Sequence, residues 1–243
     1  MSQGQEPISF RAGERAQYRI HYGLISGGEA TLEVKEDTLW GKNVFYALLS
    51  GRTTGVADAI YKVRDYYHSY FNPYTKLPYK AIRDIKEGRY RKYNELVFDH
   101  TSRGDSSVVI SKLTGVHVTP APIYDILTCF FMMRDSYLQG EYDLKEDEIV
   151  TITTWFTDEL YPIRLRYKGR ETVRTPLGKI SCLKFNPVTE VGRLFKTEED
   201  MTIWFSDDKN YLPVKIRFDI FVGRVTVDIE ECEGLMYPLG IKK

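Results

Sequence analysis

The sequence predicts a mainly β protein whose strands form one large antiparallel sheet around a helix. Three observations carry this. A strand–turn–strand–turn–strand unit is written twice. It runs once from Tyr70-Phe71-Asn72-Pro73-Tyr74-Thr75-Lys76-Leu77-Pro78 through Lys80 and Asp84 to Gly88-Arg89. It runs again from Trp204-Phe205-Ser206-Asp207-Asp208-Lys209-Asn210-Tyr211-Leu212-Pro213 through Lys215 and Asp219 to Gly223-Arg224, in the same register from Leu-Pro onward. Apolar and polar residues alternate with period two over much of the chain, the pattern of half-buried strands. Aromatic residues make up 14% of the chain, with 18 Tyr, and such side chains fit a pleated surface.

In chain order, Ala16 to Tyr22 alternates and reads as a strand, and Gly27-Gly28 as a turn or bulge. Ala30 to Val34 returns, and Asn43 to Ser50 follows the turn at Trp40-Gly41-Lys42. Gly55 to Tyr61 breaks the strand rhythm and reads as one or two helical turns. Strands follow at Arg64 to Phe71, Tyr79 to Ile85 and Tyr90 to Asp99, with Lys86-Glu87-Gly88-Arg89 as a hairpin turn. A short strand is expected at Ser107 to Lys112, and Pro120 and Pro122 mark a break. Tyr124 to Leu138 is the one long helix, apolar on most of its surface through Ile126, Leu127, Phe130, Phe131, Met132 and Met133, and ended by Gly140. A helix so apolar is expected to be buried on more than one side. Further strands are expected at Asp147 to Phe156, Pro162 to Tyr167 and Lys179 to Asn186, before the second Leu-Pro unit. The whole chain, 1–243, reads as a single domain with an internal pseudo-repeat, roughly 14–99 and 160–233, joined by a loop–helix segment, 113–140.

Pro cannot donate to a ladder and suits a strand start, and the polar runs before each Leu-Pro supply turn chemistry. The repeat is therefore a set of turn-makers and specifies hairpins. Thirty-four basic residues balance 34 acidic ones, so nothing global calls for nucleic acid, and the cluster Lys86, Arg89, Arg91, Lys92 is interleaved with Glu87 and Glu95 as on a solvated face. No apolar run reaches the roughly 18 residues of a transmembrane helix. The opening residues from Met1 to Pro7 have neither the basic start nor the apolar stretch of a secretion leader.

Chemical motifs are missing. The histidines His21, His68, His100 and His117 have no metal spacing, and Cys129, Cys182 and Cys232 match no zinc pattern. Three buried thiols is the plain expectation for the cysteines, with Cys182–Cys232 the more plausible pair if one forms. Glu198-Glu199-Asp200 and Asp207-Asp208 lack the spacing of a calcium loop. No nucleophile elbow or phosphate loop occurs. The sequence thus predicts no enzyme, no catalytic residue, no metal and no cofactor.

The ordered series Gly13-Glu14 with Tyr18, Gly23…Gly27…Ala30-Thr31-Leu32, Tyr61-Lys62-Val63-Arg64-Asp65 with Tyr70, Glu87-Gly88, Tyr124-Asp125, Thr175-Pro176-Leu177-Gly178 with Cys182, and Trp204-Phe205-Ser206-Asp207-Asp208 with Leu212-Pro213 resembles an exported bacterial family filed as domain of unknown function 3108. The resemblance implies a periplasmic or outer-membrane-associated protein whose leader lies outside this sequence. More distantly, the aspartate-bearing turn, Leu-Pro strand start and Gly hairpin resemble the lipoprotein-carrier proteins of the LolA and LolB type. That resemblance implies an incomplete β-barrel whose concave apolar face is covered by helices, here the long apolar helix and a short one, and which binds acyl chains.

Two functions follow as expectations. In the first, the protein is a non-enzymatic envelope protein holding an acyl chain, lipid, lipoprotein or other apolar ligand. Its groove would be lined by Leu127, Phe130, Phe131 and Met133 of the helix and by Trp155, Trp204 and Phe205 of the strands. An apolar cavity of about 300 Å³ or more between helix and sheet is the observation that separates this reading from a plain core. In the second, it is an envelope scaffold or assembly protein that contacts a partner protein through an exposed edge or an aromatic patch of Tyr66, Tyr67, Tyr90 and Tyr93.

Overall fold

The structure is a computed structural model and describes residues 8–142, 144–188, 200–220 and 223–242. Its strands are β1 (Arg15–Tyr22), β2 (Ile25–Leu39), β3 (Lys42–Thr53), β4 (Val63–Phe71), β5 (Pro78–Glu87), β6 (Tyr90–Asp99), β7 (Ser106–Ser111), β8 (Gly115–Pro120), β9 (Ile149–Phe156), β10 (Glu159–Thr175), β11 (Gly178–Pro187), β12 (Met201–Ser206), β13 (Pro213–Ile220), β14 (Gly223–Glu233) and β15 (Ile241–Lys242). Helix α1 spans Gly55–Ile60 and α2 spans Thr128–Leu138. The sheet order is β8-β7-β6-β5-β4-β3-β2-β1-β14-β13-β12-β11-β10-β9, and β15 pairs with the start of β11.

The chain winds outward from β1 to β8, then returns from β9 to β14 and closes onto β1, with Arg15 opposite Glu233 and Tyr22 opposite Val225. Fourteen antiparallel strands thus make a nearly closed barrel whose two free edges are β8 and β9. Across this seam the rings of His117 (β8) and Trp155 (β9) lie 4.7 Å apart. Tyr124 enters the seam as a parallel bridge to β9. Its N–H donates to the Thr153 carbonyl (3.1 Å) and its carbonyl accepts from the Trp155 N–H (2.8 Å).

The doubled Leu-Pro unit holds in detail. Pro78 opens β5 and Pro213 opens β13. In each hairpin the register slips by one residue just before the proline's partner, between Tyr70 and Phe71 in one and between Trp204 and Phe205 in the other. Two residues before each proline stands a non-glycine residue with positive φ, Lys76 at 58° and Tyr211 at 50°. The tight-turn glycines match as well: Gly88 has φ 55° and Gly223 φ 98°.

Several expectations change. The long apolar helix over Tyr124–Leu138 is replaced by an 11-residue helix that begins at Thr128. Residues before it are spent on the seam bridge and on a cap: the Asp125 carboxylate accepts from the N–H groups of Leu127 (2.7 Å) and Thr128 (3.0 Å), while the Thr128 hydroxyl accepts from the Asp125 N–H (3.0 Å). Nor is the helix uniformly apolar, since Thr128, Arg134, Asp135 and Ser136 are buried beside Cys129, Phe131 and Met133. The short helix α1 is not packed on the concave face. It has no buried residue and leaves Val56 and Ile60 in solvent, pinned at the β3–β4 connection by Asp58 to Arg64 and Thr53. The segment 113–140, read as loop and helix, contains strand β8. Strand β10 runs through Gly169, where a register shift between Tyr167 and Arg170 bends it so that its two ends pair with β9 and β11.

Helix α2 packs between two apolar clusters. Leu127 and Phe131 join Phe10, Phe71, Trp204, Leu212 and Val214, whereas Cys129 and Met133 join Leu165, Tyr167, Leu183, Phe185, Phe205 and Tyr211. All three cysteines are free thiols. No helix is long and apolar enough to cross a membrane among the described residues.

Candidate ligand pocket

Two buried ion pairs on neighbouring residues of α2 fix the helix inside the barrel. The Arg134 guanidinium is fully buried and grips both carboxylate oxygens of Glu14. It also donates through Nε to the Asn210 carbonyl (2.7 Å) and through Nη2 to the Ser9 carbonyl (3.0 Å). Asp135, also buried, accepts from the Ser9 N–H (2.7 Å) and hydroxyl (2.6 Å) and pairs with Lys76. Asn210 and Lys76 belong to the turns of the two Leu-Pro units. Adjacent helix residues therefore clasp the two repeats, one each. Because every buried charge here has a partner, the arrangement is structural rather than reactive.

On the other side of the helix start lies a pocket. Its walls come from β4 (Tyr67, His68), β5 (Ala81, Ile82, Arg83), β6 (Lys92, Asn94, Leu96), the approach to α2 (Asp125, Ile126, Leu127) and β9 (Trp155, Phe156). The β9–β10 turn, Thr157 and Asp158, closes it. Alternation puts these side chains together: Tyr67 is opposite Arg83, and Arg83 opposite Asn94, along one face of the ladder. The enclosed space is about 40 Å³, enough for a water or two, so the apolar cavity of about 300 Å³ expected of a ligand groove is not formed here.

Both residues of the closing turn have positive φ without being glycine, Thr157 at 52° and Asp158 at 68°. Two such residues between paired strands make a type I′ hairpin turn, whose twist matches that of β9 and β10. The turn is tied to the barrel wall through Asp158. Asp158 Oδ1 accepts from the Asn94 amide and from the Ser111 hydroxyl (2.9 Å), and Oδ2 pairs with Lys92 (3.2 Å). The Arg83 guanidinium stands 5.0 Å from the Phe156 ring centre and 5.7 Å from that of Tyr67. Two buried donors here lack a hydrogen-bond partner, Arg83 Nε and the Trp155 indole N–H. Burial pushes Asp125 up from the usual carboxylate value against the pull of its bonds to Ser69, Thr128 and Leu127, and burial lowers His68.

The seven residues expected to line a groove separate. All seven pack in core clusters, and of them only Leu127 and Trp155 also border this pocket. The tyrosines expected as one patch also separate. Tyr67 faces the pocket, Tyr66 is not among its lining and has its ring 6.3 Å from that of His68, and Tyr90 and Tyr93 are exposed. Of the acidic runs, Glu198 and Glu199 lie outside the described residues, while Asp207 accepts from Tyr137 (2.8 Å) and pairs with Arg170 (2.9 Å). Sequence reasoning missed Arg83, Lys92, Asn94 and Asp158 as a group. Arg83, Lys92 and Asn94 share a face by period two, but nothing local links them to Asp158 across 64 residues.

An antiparallel barrel left open at one seam and holding a short helix is the class of protein this fold defines. Within it, the chain belongs to the family of proteins of unknown function DUF3108, which matches residues 17–230. Among solved structures it is similar to a β-barrel-like protein of domain of unknown function DUF1849 from Brucella abortus, with a TM-score of 0.62 at 9% identity, over 96% of this chain and 100% of that one. That likeness is one of fold. No curated protein matches the chain in sequence.

Proposed function

We propose that the protein is a non-enzymatic, exported envelope protein that binds a single-chain amphiphile in the pocket beneath the β9–β10 turn. The observation that carries this reading is the pocket's composition. Ala81, Leu96, Ile126, Leu127 and Trp155 give an apolar wall, and Arg83, Lys92 and Asn94 a polar end, under a turn held closed by one carboxylate. In the closed state the space is about 40 Å³, so a chain enters only when Phe156–Asp158 lifts. A barrel open at one seam with a helix against its interior also supports the likeness to lipoprotein carriers of the LolA and LolB type.

Native mass spectrometry of protein purified from its own host envelope tests this. A retained lipid mass, or uptake of an added fatty acid or lipopeptide that Ala81→Trp abolishes, is the expected result. A clean apo mass with no uptake overturns it.

A second reading has its own observation. The outer face of β7 and β8 leaves Ile110, Val116 and Val118 exposed in register, with Leu113 beside them. An envelope scaffold that docks a partner protein there needs no small ligand. Val116→Lys with Val118→Lys abolishes partner assembly under this reading, read as loss of co-purification from the host envelope.

A further inference from the structure

We infer that the ligand carries a carboxylate, and that this group takes the place of the Asp158 side chain on Lys92 and Asn94 while Arg83 supplies a second cation. The inference rests on the amphiphile-binding reading above and specifies its headgroup.

The pocket's polar end is short of acceptors. Lys92 and Asn94 both point at a single carboxylate, that of Asp158, which the chain supplies from the closing turn. Ser111, itself buried, donates to the same carboxylate at 2.9 Å. The remaining unmet groups in the pocket wall, Arg83 Nε and the indole N–H of Trp155, are donors. A buried donor without a partner is unfavourable, and an anionic ligand satisfies it where a cationic or purely apolar one does not. The other carboxylate in the wall, Asp125, is already engaged by Ser69, Leu127 and Thr128.

Asp158 is thus a built-in stand-in for the ligand's headgroup. Its carboxylate makes the contacts that a ligand carboxylate would take over. Exchange of one carboxylate for another keeps the Lys92 charge and the Asn94 and Ser111 donors partnered, frees the turn from the pocket, and opens the apolar wall to the ligand's chain. Only Asp158 moves into solvent, where its charge is hydrated.

Isothermal titration of the purified protein with octanoate, 1-octanol and octyltrimethylammonium tests this, because all three share a chain and differ in headgroup. Octanoate is expected to bind at least tenfold more tightly than octanol. Lys92→Gln and Arg83→Gln are each expected to weaken octanoate tenfold or more and to change octanol by less than twofold. Asp158→Asn, which keeps a residue that tolerates positive φ, is expected to tighten octanoate by removing its competitor. Equal binding of octanoate and octanol overturns the headgroup assignment and leaves the amphiphile reading standing. An unchanged octanoate affinity in Asp158→Asn overturns the exchange. Binding of none of the three compounds, in wild type or Asp158→Asn, overturns the amphiphile reading itself.

Discussion

Arg134 and Glu14 show how single residues organise this barrel. A guanidinium at 0% exposure is tolerable only because a carboxylate and two carbonyls meet it. Glu14→Leu removes the charge partner and leaves the cation buried, so we expect a loss of about 3–5 kcal/mol in chemical denaturation. Glu14→Leu combined with Arg134→Met is expected to lose less than the single variant, because no uncompensated charge remains. A double variant at least as damaged as the single one would refute this account. His68 and His100 give the chain a pH dependence of known sign. Burial lowers both from the ordinary 6.5, so the folded protein holds them neutral. Their contribution is complete above 6.5 and is lost as pH falls toward the lowered folded values, since the unfolded chain takes up protons first. Denaturation midpoints at pH 7.5 and pH 5 are expected to differ less in His68→Gln/His100→Gln than in wild type.

Elements were legible where local chemistry decides them. The Leu-Pro units were readable because Pro, Gly and Asn residues carry turn geometry in their own covalent structure. The glycines allow a graded test. A Cβ on Gly234, at φ 66°, would stand 2.0 Å from the Gly13 carbonyl oxygen, a backbone atom that cannot step aside. A Cβ on Gly223, at φ 98°, would meet the Tyr22 hydroxyl at 2.8 Å, the far end of a side chain that swings away. Both alanine variants lose stability, by about 1 kcal/mol or more, and Gly234→Ala is expected to lose clearly more, read as melting temperature. Helix α2 was less legible. Its apolar run predicts a helix from Tyr124, but Tyr124 is claimed by strand β9 and Asp125 by the cap, which are a long-range and a local choice that the run itself does not encode. Strand β8 was missed because Gly-Val-His-Val-Thr-Pro is short and follows a turn directly, and its pairing partner β7 is itself only six residues long.

At the scale of the whole molecule, the seam between β8 and β9 is where the barrel is least tied. β8 and β9 each have one ladder partner, and Tyr124 and the His117–Trp155 contact bridge them. Amide hydrogen exchange is therefore expected to be faster in β8 and β9 than in β1, β2 and β14, which have partners on both sides. Uniform protection around the barrel would show that the seam is closed in solution.

By itself the sequence determined most of the strands, their turns and the doubled unit, because alternation and turn chemistry act over a few residues. Membership of one sheet was equally readable, and a helix within it was expected, though longer and more apolar than the one that forms. Only the tertiary structure decided which polar residues meet: Arg134 with Glu14 across 120 positions, Asp135 with Lys76, and Asp158 with Asn94. It also decided that Phe130, Phe131, Met133, Trp204 and Phe205 fill the core alone while Leu127 and Trp155, packed there too, also border a pocket. Burial is set by barrel closure, and closure depends on pairings between strands far apart in the chain, which no local pattern contains.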